Sequence, residues 1–65
     1  MDIVVNDVII SVIDGSNVLD AITVYNTQHP KYSGWRSILA YNEQNHPISL
    51  LGILSPGDKL KIILQ

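Results

Sequence analysis

Eight β-branched apolar side chains fall within the first thirteen residues: Ile3, Val4, Val5, Val8, Ile9, Ile10, Val12 and Ile13. Branching at Cβ stiffens χ1, disfavours helix and packs well on a pleated surface. The stretch 2–13 therefore reads as strand. Asn6-Asp7 interrupts it, and both residue types tolerate positive φ. Two readings follow: a tight hairpin between 2–5 and 8–13, or one strand with a polar kink. The run holds more apolar side chains than a small two-stranded sheet hides on one face. Ile3, Val4, Val5, Val8 and Ile10 thus form a candidate interface strand, open to strand addition by a neighbour unless a hairpin hides them.

The remaining 52 residues have to complete one core, since a chain of 65 has no room for a second. Residues 1–65 are read as a single domain, with 1–13 as the N-terminal strand or hairpin and 14–64 as its core motif. An apolar content of 46% is too high for a disordered segment. The chain has no cysteine, which excludes disulfides and thiolate metal sites and leaves partner contacts as the leading extra source of stability. The formal charge is −2, and the basic residues Lys31, Arg36, Lys59 and Lys61 fall in two separated pairs. Nucleic-acid binding by counterion release needs clustered cations, so it is not expected. No apolar run reaches the roughly 20 residues that span a bilayer. The first residues lack the basic start of a signal peptide, so the product is expected to stay in the compartment where it is made.

Asp14-Gly15 ends the first strand region, and Ser16 is a suitable N-cap for a helix over 17–26. Val18, Ile22 and Tyr25 fall at i, i+4, i+7 with Leu19 beside them, which predicts one buried helical face. Pro30 pushes His29 out of the α region, so the helix stops before it. Ser33 can cap a second helix from Gly34 to about Asn42, with Trp35, Ile38 and Leu39 at i, i+3, i+4. Ser55-Pro56-Gly57-Asp58 predicts a type II turn. Lys59 to Gln65 follows as a strand, with Leu60, Ile62 and Leu64 inward and Lys59 and Lys61 outward. The expected fold class is α+β: a βααβ order with two helices on one face of a small antiparallel sheet, the first and last long strands adjacent, and an extra N-terminal strand as an alternative.

With its junction residues, this order resembles the LysM domain. Gly15-Ser16-Asn17-Val18-Leu19 is similar to the family's start of helix one. Trp35-Arg36-Ser37-Ile38-Leu39-Ala40-Tyr41-Asn42 resembles its second helix, and Pro56-Gly57-Asp58-Lys59-Leu60-Lys61-Ile62 its closing strand. Within that family, Leu19-Asp20-Ala21-Ile22 and Leu51-Gly52-Ile53-Leu54-Ser55-Pro56-Gly57 resemble the phage tail protein X group. That resemblance implies a structural role at the baseplate or tube end of a contractile tail. The protein would be made in the host cytoplasm, reside in the virion and have other tail or baseplate proteins as partners. The alternative implied by the wider family is a glycan-binding module for N-acetylglucosamine polymers, peptidoglycan or chitin. The candidate ligand or partner loop is then Gly15, Ser16, Asn17 and Val18 with Asn45, Ile48 and Leu51. Ser16-Asn17 replaces the family's usual Asp-Thr pair, which departs from the glycan pattern at the loop that would bind sugar.

No catalytic constellation is legible. His29 and His46 each precede a proline and have no ligand partner at i+4, so they read as polar loop residues. Most of the acidic residues flank turns, where Asp bonds local N–H groups. There is no nucleophile elbow and no phosphate loop. Gly15-Ser16 before a helix reads as a cap rather than an anion site. The expectation is a non-enzymatic module with no cofactor and no metal. Trp35 reads as core, and Tyr25, Tyr32 and Tyr41 as helix-face or loop aromatics.

Overall fold

The computed structural model describes residues 1–29 and 37–64. In order along the chain it contains β1 (Asp2–Val5), β2 (Val8–Ser11), α1 (Val18–Gln28), β3 (Ile38–Tyr41) and β4 (Lys59–Leu64). The strands form one sheet in the order β2-β1-β4-β3.

The β-branched run folds as the hairpin. β1 and β2 pair antiparallel, with Val5 opposite Val8 and Ile3 opposite Ile10. Asn6 and Asp7 form the two-residue loop at φ 50° and 67°. Both central residues at positive φ define the turn whose twist matches a hairpin, and Asn and Asp reach that region more readily than other side chains. Asn6 also ties the hairpin to the end of the chain. Its amide oxygen accepts from the Ile62 N–H at 2.8 Å, and its amide nitrogen donates to the Ile62 carbonyl at 3.1 Å. The side chain thus continues the β1–β4 ladder where the main chain turns away.

α1 begins one residue later than the Ser16 cap implies. Asn17 is the N-cap and forms a reciprocal capping box with Asp20: the Asp20 N–H donates to Asn17 Oδ1 at 2.8 Å, and the Asn17 N–H to Asp20 Oδ2 at 3.0 Å. Val18, Ala21, Ile22 and Tyr25 form the buried face, whereas Leu19, expected inside, is exposed. The helix ends at Gln28. His29 adopts φ −133° and ψ 71°, outside the α region, and its ring stacks on Tyr25 with centroids 4.8 Å apart.

Two expectations are corrected here. The first is the second helix: residues 38–41 are not helical but form β3, which pairs antiparallel with β4, Ile38 opposite Leu64 and Ala40 opposite Ile62. The reason is tertiary. The 3–4 spacing of apolar residues over so short a stretch fits a helix face and a strand equally, and ladder pairing with β4 decides between them. Trp35 and the start of that segment lie outside the described residues. The second correction concerns the sheet, which is mixed and four-stranded rather than small and antiparallel. β1 runs parallel to β4, with Val4 beside Lys59 and Val5 beside Leu60. The 8–11 strand does not touch β4, because β1 lies between them.

Ser55-Pro56-Gly57-Asp58 adopts the expected turn, with Gly57 at φ 82° and the Asp58 N–H donating to the Ser55 carbonyl at 3.1 Å. β4 then alternates, with Leu60 and Ile62 buried and Lys59 and Lys61 exposed. The core is the single layer between α1 and the inner sheet face. Ile3, Val5, Ile10, Val12, Ala40, Leu60 and Ile62 pack there against the helix, with Leu54 closing one end. Each large side chain buried this way contributes about 1.5–3 kcal/mol. Among the described residues no helix is long and apolar enough to cross a membrane.

Candidate functional site

The structure divides the candidate loop residues between two hollows. The segment 50–54 crosses the start of α1: the Val18 N–H donates to the Gly52 carbonyl at 3.0 Å, the Leu19 N–H to the Leu50 carbonyl at 2.9 Å, and the Leu54 N–H to the Ser16 carbonyl at 2.9 Å. With the Asp20 N–H held by Asn17, the first donors of the helix are all taken by the chain itself. An anion would find no free N–H groups there, which favours the plain cap.

Val18 and Ile48 line one hollow of about 560 Å³, together with Asn42, Glu43, Ser49 and Asp58. Gly15 and Ser16 line another, with Asp20, Thr23 and Val24 of the helix. Leu51 is 70% exposed, and Asn45 sits at φ 66° in an exposed turn. That turn is built by Asn42, whose Oδ1 accepts the N–H groups of Gln44 at 2.9 Å and His46 at 3.0 Å. No aromatic side chain among the described residues lines the first hollow. A pyranose face normally lies against an aromatic ring, so this hollow lacks the usual sugar platform.

The candidate interface strand is also redistributed. Ile3, Val5 and Ile10 are core residues, and Val4 and Val8 are half-buried. The apolar side chains of this region that reach solvent are Ile9 and Ile13, at 69% and 83% exposure. Strand parity separates the two groups: the hairpin register puts Ile3, Val5, Ile10 and Val12 on the helix side and Ile9 on the other. Once a hairpin is chosen over a kinked strand, the sequence alone carries that parity.

The surface that sequence reasoning missed is the outer face of the sheet. Since α1 covers only the inner face, Val4 and Ile9 lie side by side on the outer one, and Leu39 lies opposite Ile63. Lys59 sits beside Val4, and Lys61 is opposite Tyr41. The face therefore carries two apolar pairs with two lysines between them. Lys59 has only a loose contact, 4.0 Å from Glu43, with both side chains exposed. Such a pair holds neither residue firmly. The signal that could have found this face is the triplet of consecutive apolar residues Ile62-Ile63-Leu64 at the end of an otherwise alternating strand.

Among the described residues no three His, Cys, Asp or Glu side chains gather as metal ligands would. Compared with protein-family models, curated proteins and solved structures, the chain shows no significant match.

Proposed function

We propose that this chain is a small, non-catalytic assembly module that acts through protein–protein contacts on the open face of its sheet. One observation carries the reading. A parallel strand pair is normally buried on both sides, yet here the outer side of β1–β4 and its flanks presents half-buried Val4 and exposed Ile9, Leu39 and Ile63, with α1 on the other side. An open antiparallel face would ordinarily be polar. Exposed apolar pairs on either side of two lysines leave a mixed surface, which a partner bringing apolar side chains and carboxylates would cover.

A phage-type contractile tail is the setting proposed for that contact, at the baseplate or tube end. It rests on the likeness of Leu51-Gly52-Ile53-Leu54 and Pro56 to Ile62 alone, because the two-helix order of LysM domains is not the one adopted here. The glycan-binding reading gains nothing from the first hollow, which lacks an aromatic platform among the described residues.

The test is photo-crosslinking in cells that make the protein naturally, with a benzophenone side chain at position 63 or, as control, at position 44. Position 63 should yield a discrete adduct with another polypeptide, and position 44, in the exposed polar turn, should not. Unadducted chain at both positions would refute the proposal.

A further inference from the structure

The rim of the sheet offers a second surface, independent of its open face. β2 is an edge strand. The Val12 N–H donates to the Met1 carbonyl, and by parity the ladder bonds to β1 belong to residues 8, 10 and 12. The N–H and C=O groups of Ile9 and Ser11 therefore point away from the sheet, and no described residue bonds to them. The opposite edge is covered along its second half. The Ile48 N–H donates to the Ala40 carbonyl, and Pro47 bridges to Tyr41. Natural edges are usually guarded by lysine, proline or a bulge. Val8-Ile9-Ile10-Ser11 has neither lysine nor proline, and its register is unbroken.

Beside this edge runs the second hollow, about 660 Å³, between Ser11–Ser16 and the Asp20, Thr23 and Val24 side of α1. Its walls offer apolar surface from Ile13 and Val24. Among the described residues, the charged side chains that line it are acidic, Asp14 and Asp20. Residues 1–29 contain Asp2, Asp7, Asp14 and Asp20 and no lysine or arginine. Asp7 marks one end of the edge and Asp14 the other. The Asp14 carboxylate is 89% exposed and 3.4 Å from the terminal amine.

We infer that the β2 edge and the hollow beside it accept an extended segment of another protein, with alternating apolar side chains and a lysine or arginine at each end, as a fifth strand of the sheet. Backbone pairing with Ile9 and Ser11 supplies the attachment. One row of the incoming side chains lies toward Ile13 and Val24, and the terminal cations meet Asp7 and Asp14. A second copy of this chain fits poorly: antiparallel β2–β2 pairing centred on Ile10 brings Asp7 of each copy close to Asp14 of the other. The inference rests on the reading of the chain as a protein-contact module, but on a different surface.

The test uses the full chain, isotope-labelled, and a capped eight-residue peptide of alternating Val and Thr with Lys at both ends. That length separates the end charges by about 23 Å when extended. The comparison peptide carries Glu at both ends. The lysine peptide should bind saturably, slow the exchange of the Ile9 and Ser11 amides, and bind roughly tenfold more tightly than the glutamate peptide. Ser11→Pro removes an outward N–H without breaking the ladder and should abolish binding. Asp14→Lys should narrow or reverse the preference between the peptides, and it serves should the proline variant fail to fold. Equal affinity for the two peptides, no saturation in the millimolar range, or protection of Ile9 and Ser11 by concentration-dependent self-association would each overturn the inference. An intact crosslink from position 63 alongside a failed peptide titration removes the edge site and leaves the assembly role standing.

Discussion

Asn6 offers the sharpest test of how this small sheet is held together, because one side chain does two separable things. It occupies φ 50°, and its amide makes two bonds to the main chain of Ile62, at 2.8 and 3.1 Å. Replacing it with alanine removes both bonds, each contributing about 0.5–1.5 kcal/mol net. It also places an ordinary side chain in the left-handed region, which costs about 1–2 kcal/mol less the smaller penalty that asparagine already bears. The sum is about 2–4 kcal/mol. A domain of this length has only about 3–10 kcal/mol in total, so Asn6→Ala should lower Tm by roughly 10–25 °C. Asn6→Gly loses the same bonds without the left-handed strain and should be less damaging by about 1 kcal/mol. Urea titrations followed by far-UV circular dichroism measure both. The reasoning is refuted if Asn6→Ala lies within about 0.5 kcal/mol of the parent, since that would mean that water replaces the amide at no loss. Equal losses for glycine and alanine would remove the backbone half of the account.

Three further substitutions follow from the same geometry. Asp7 sits at φ 67° with its side chain exposed, so Asp7→Gly should stabilise the chain by about 0.5–1 kcal/mol in urea titrations, and destabilisation would contradict the assigned turn. Asn17→Ala and Asp20→Ala should each cost about 0.5–2 kcal/mol. The double variant should cost less than their sum, because each bond holds the turn in the shape the other needs, and strict additivity in that cycle would show that the two bonds form independently. Along β4, Ile62 is 5% exposed and Ile63 36%. Ile62→Thr should therefore cost several kcal/mol and Ile63→Thr under about 1 kcal/mol, with only the second leaving a folded protein whose crosslinking from a benzophenone at the facing position 39 is lost.

The sequence made some of these elements legible and concealed others for definite reasons. The hairpin, α1 with its buried face, and the Pro56-Gly57 turn into β4 rest on local chemistry: positive-φ residues, a 3.6 period, a proline and a glycine at adjacent turn positions. The segment 38–41 was not legible. Its apolar residues satisfy either period over four positions, and only β4, twenty residues away, supplies the pairing that makes it a strand. β3 adds a strand beyond β4 and the hairpin adds one beyond β1, so the sheet has four strands where a two-stranded platform was expected. That in turn decides which strand borders β4 and which is left at the rim. The likeness to a two-helix family followed from the same segment, since Ile38 to Asn42 was where the second helix should have been. The site residues shifted for a related reason. Ile3, Val5 and Ile10 looked like surplus apolar surface only while the sheet was too small to bury them.

The two surfaces differ in charge, and that difference bears on what such a module can do. The open face carries Lys59 and Lys61 between its apolar pairs, whereas the β2 rim lies within the stretch 1–29 that contains aspartates and no lysine or arginine. Lysine stems lying along a β surface shield neighbouring apolar atoms while the ammonium groups stay in water. Val4, beside Lys59, is half-buried although α1 is on the other side. A partner at the face gains by supplying carboxylates, and a partner at the rim by supplying cations, so each surface selects against the other's ligand. Ile9 belongs to both, its side chain on the face and its main chain on the rim. Occupying the rim would therefore extend the sheet by a strand and enlarge the face next to Ile9. In an assembly, that makes the second contact dependent on the first without any change in the fold.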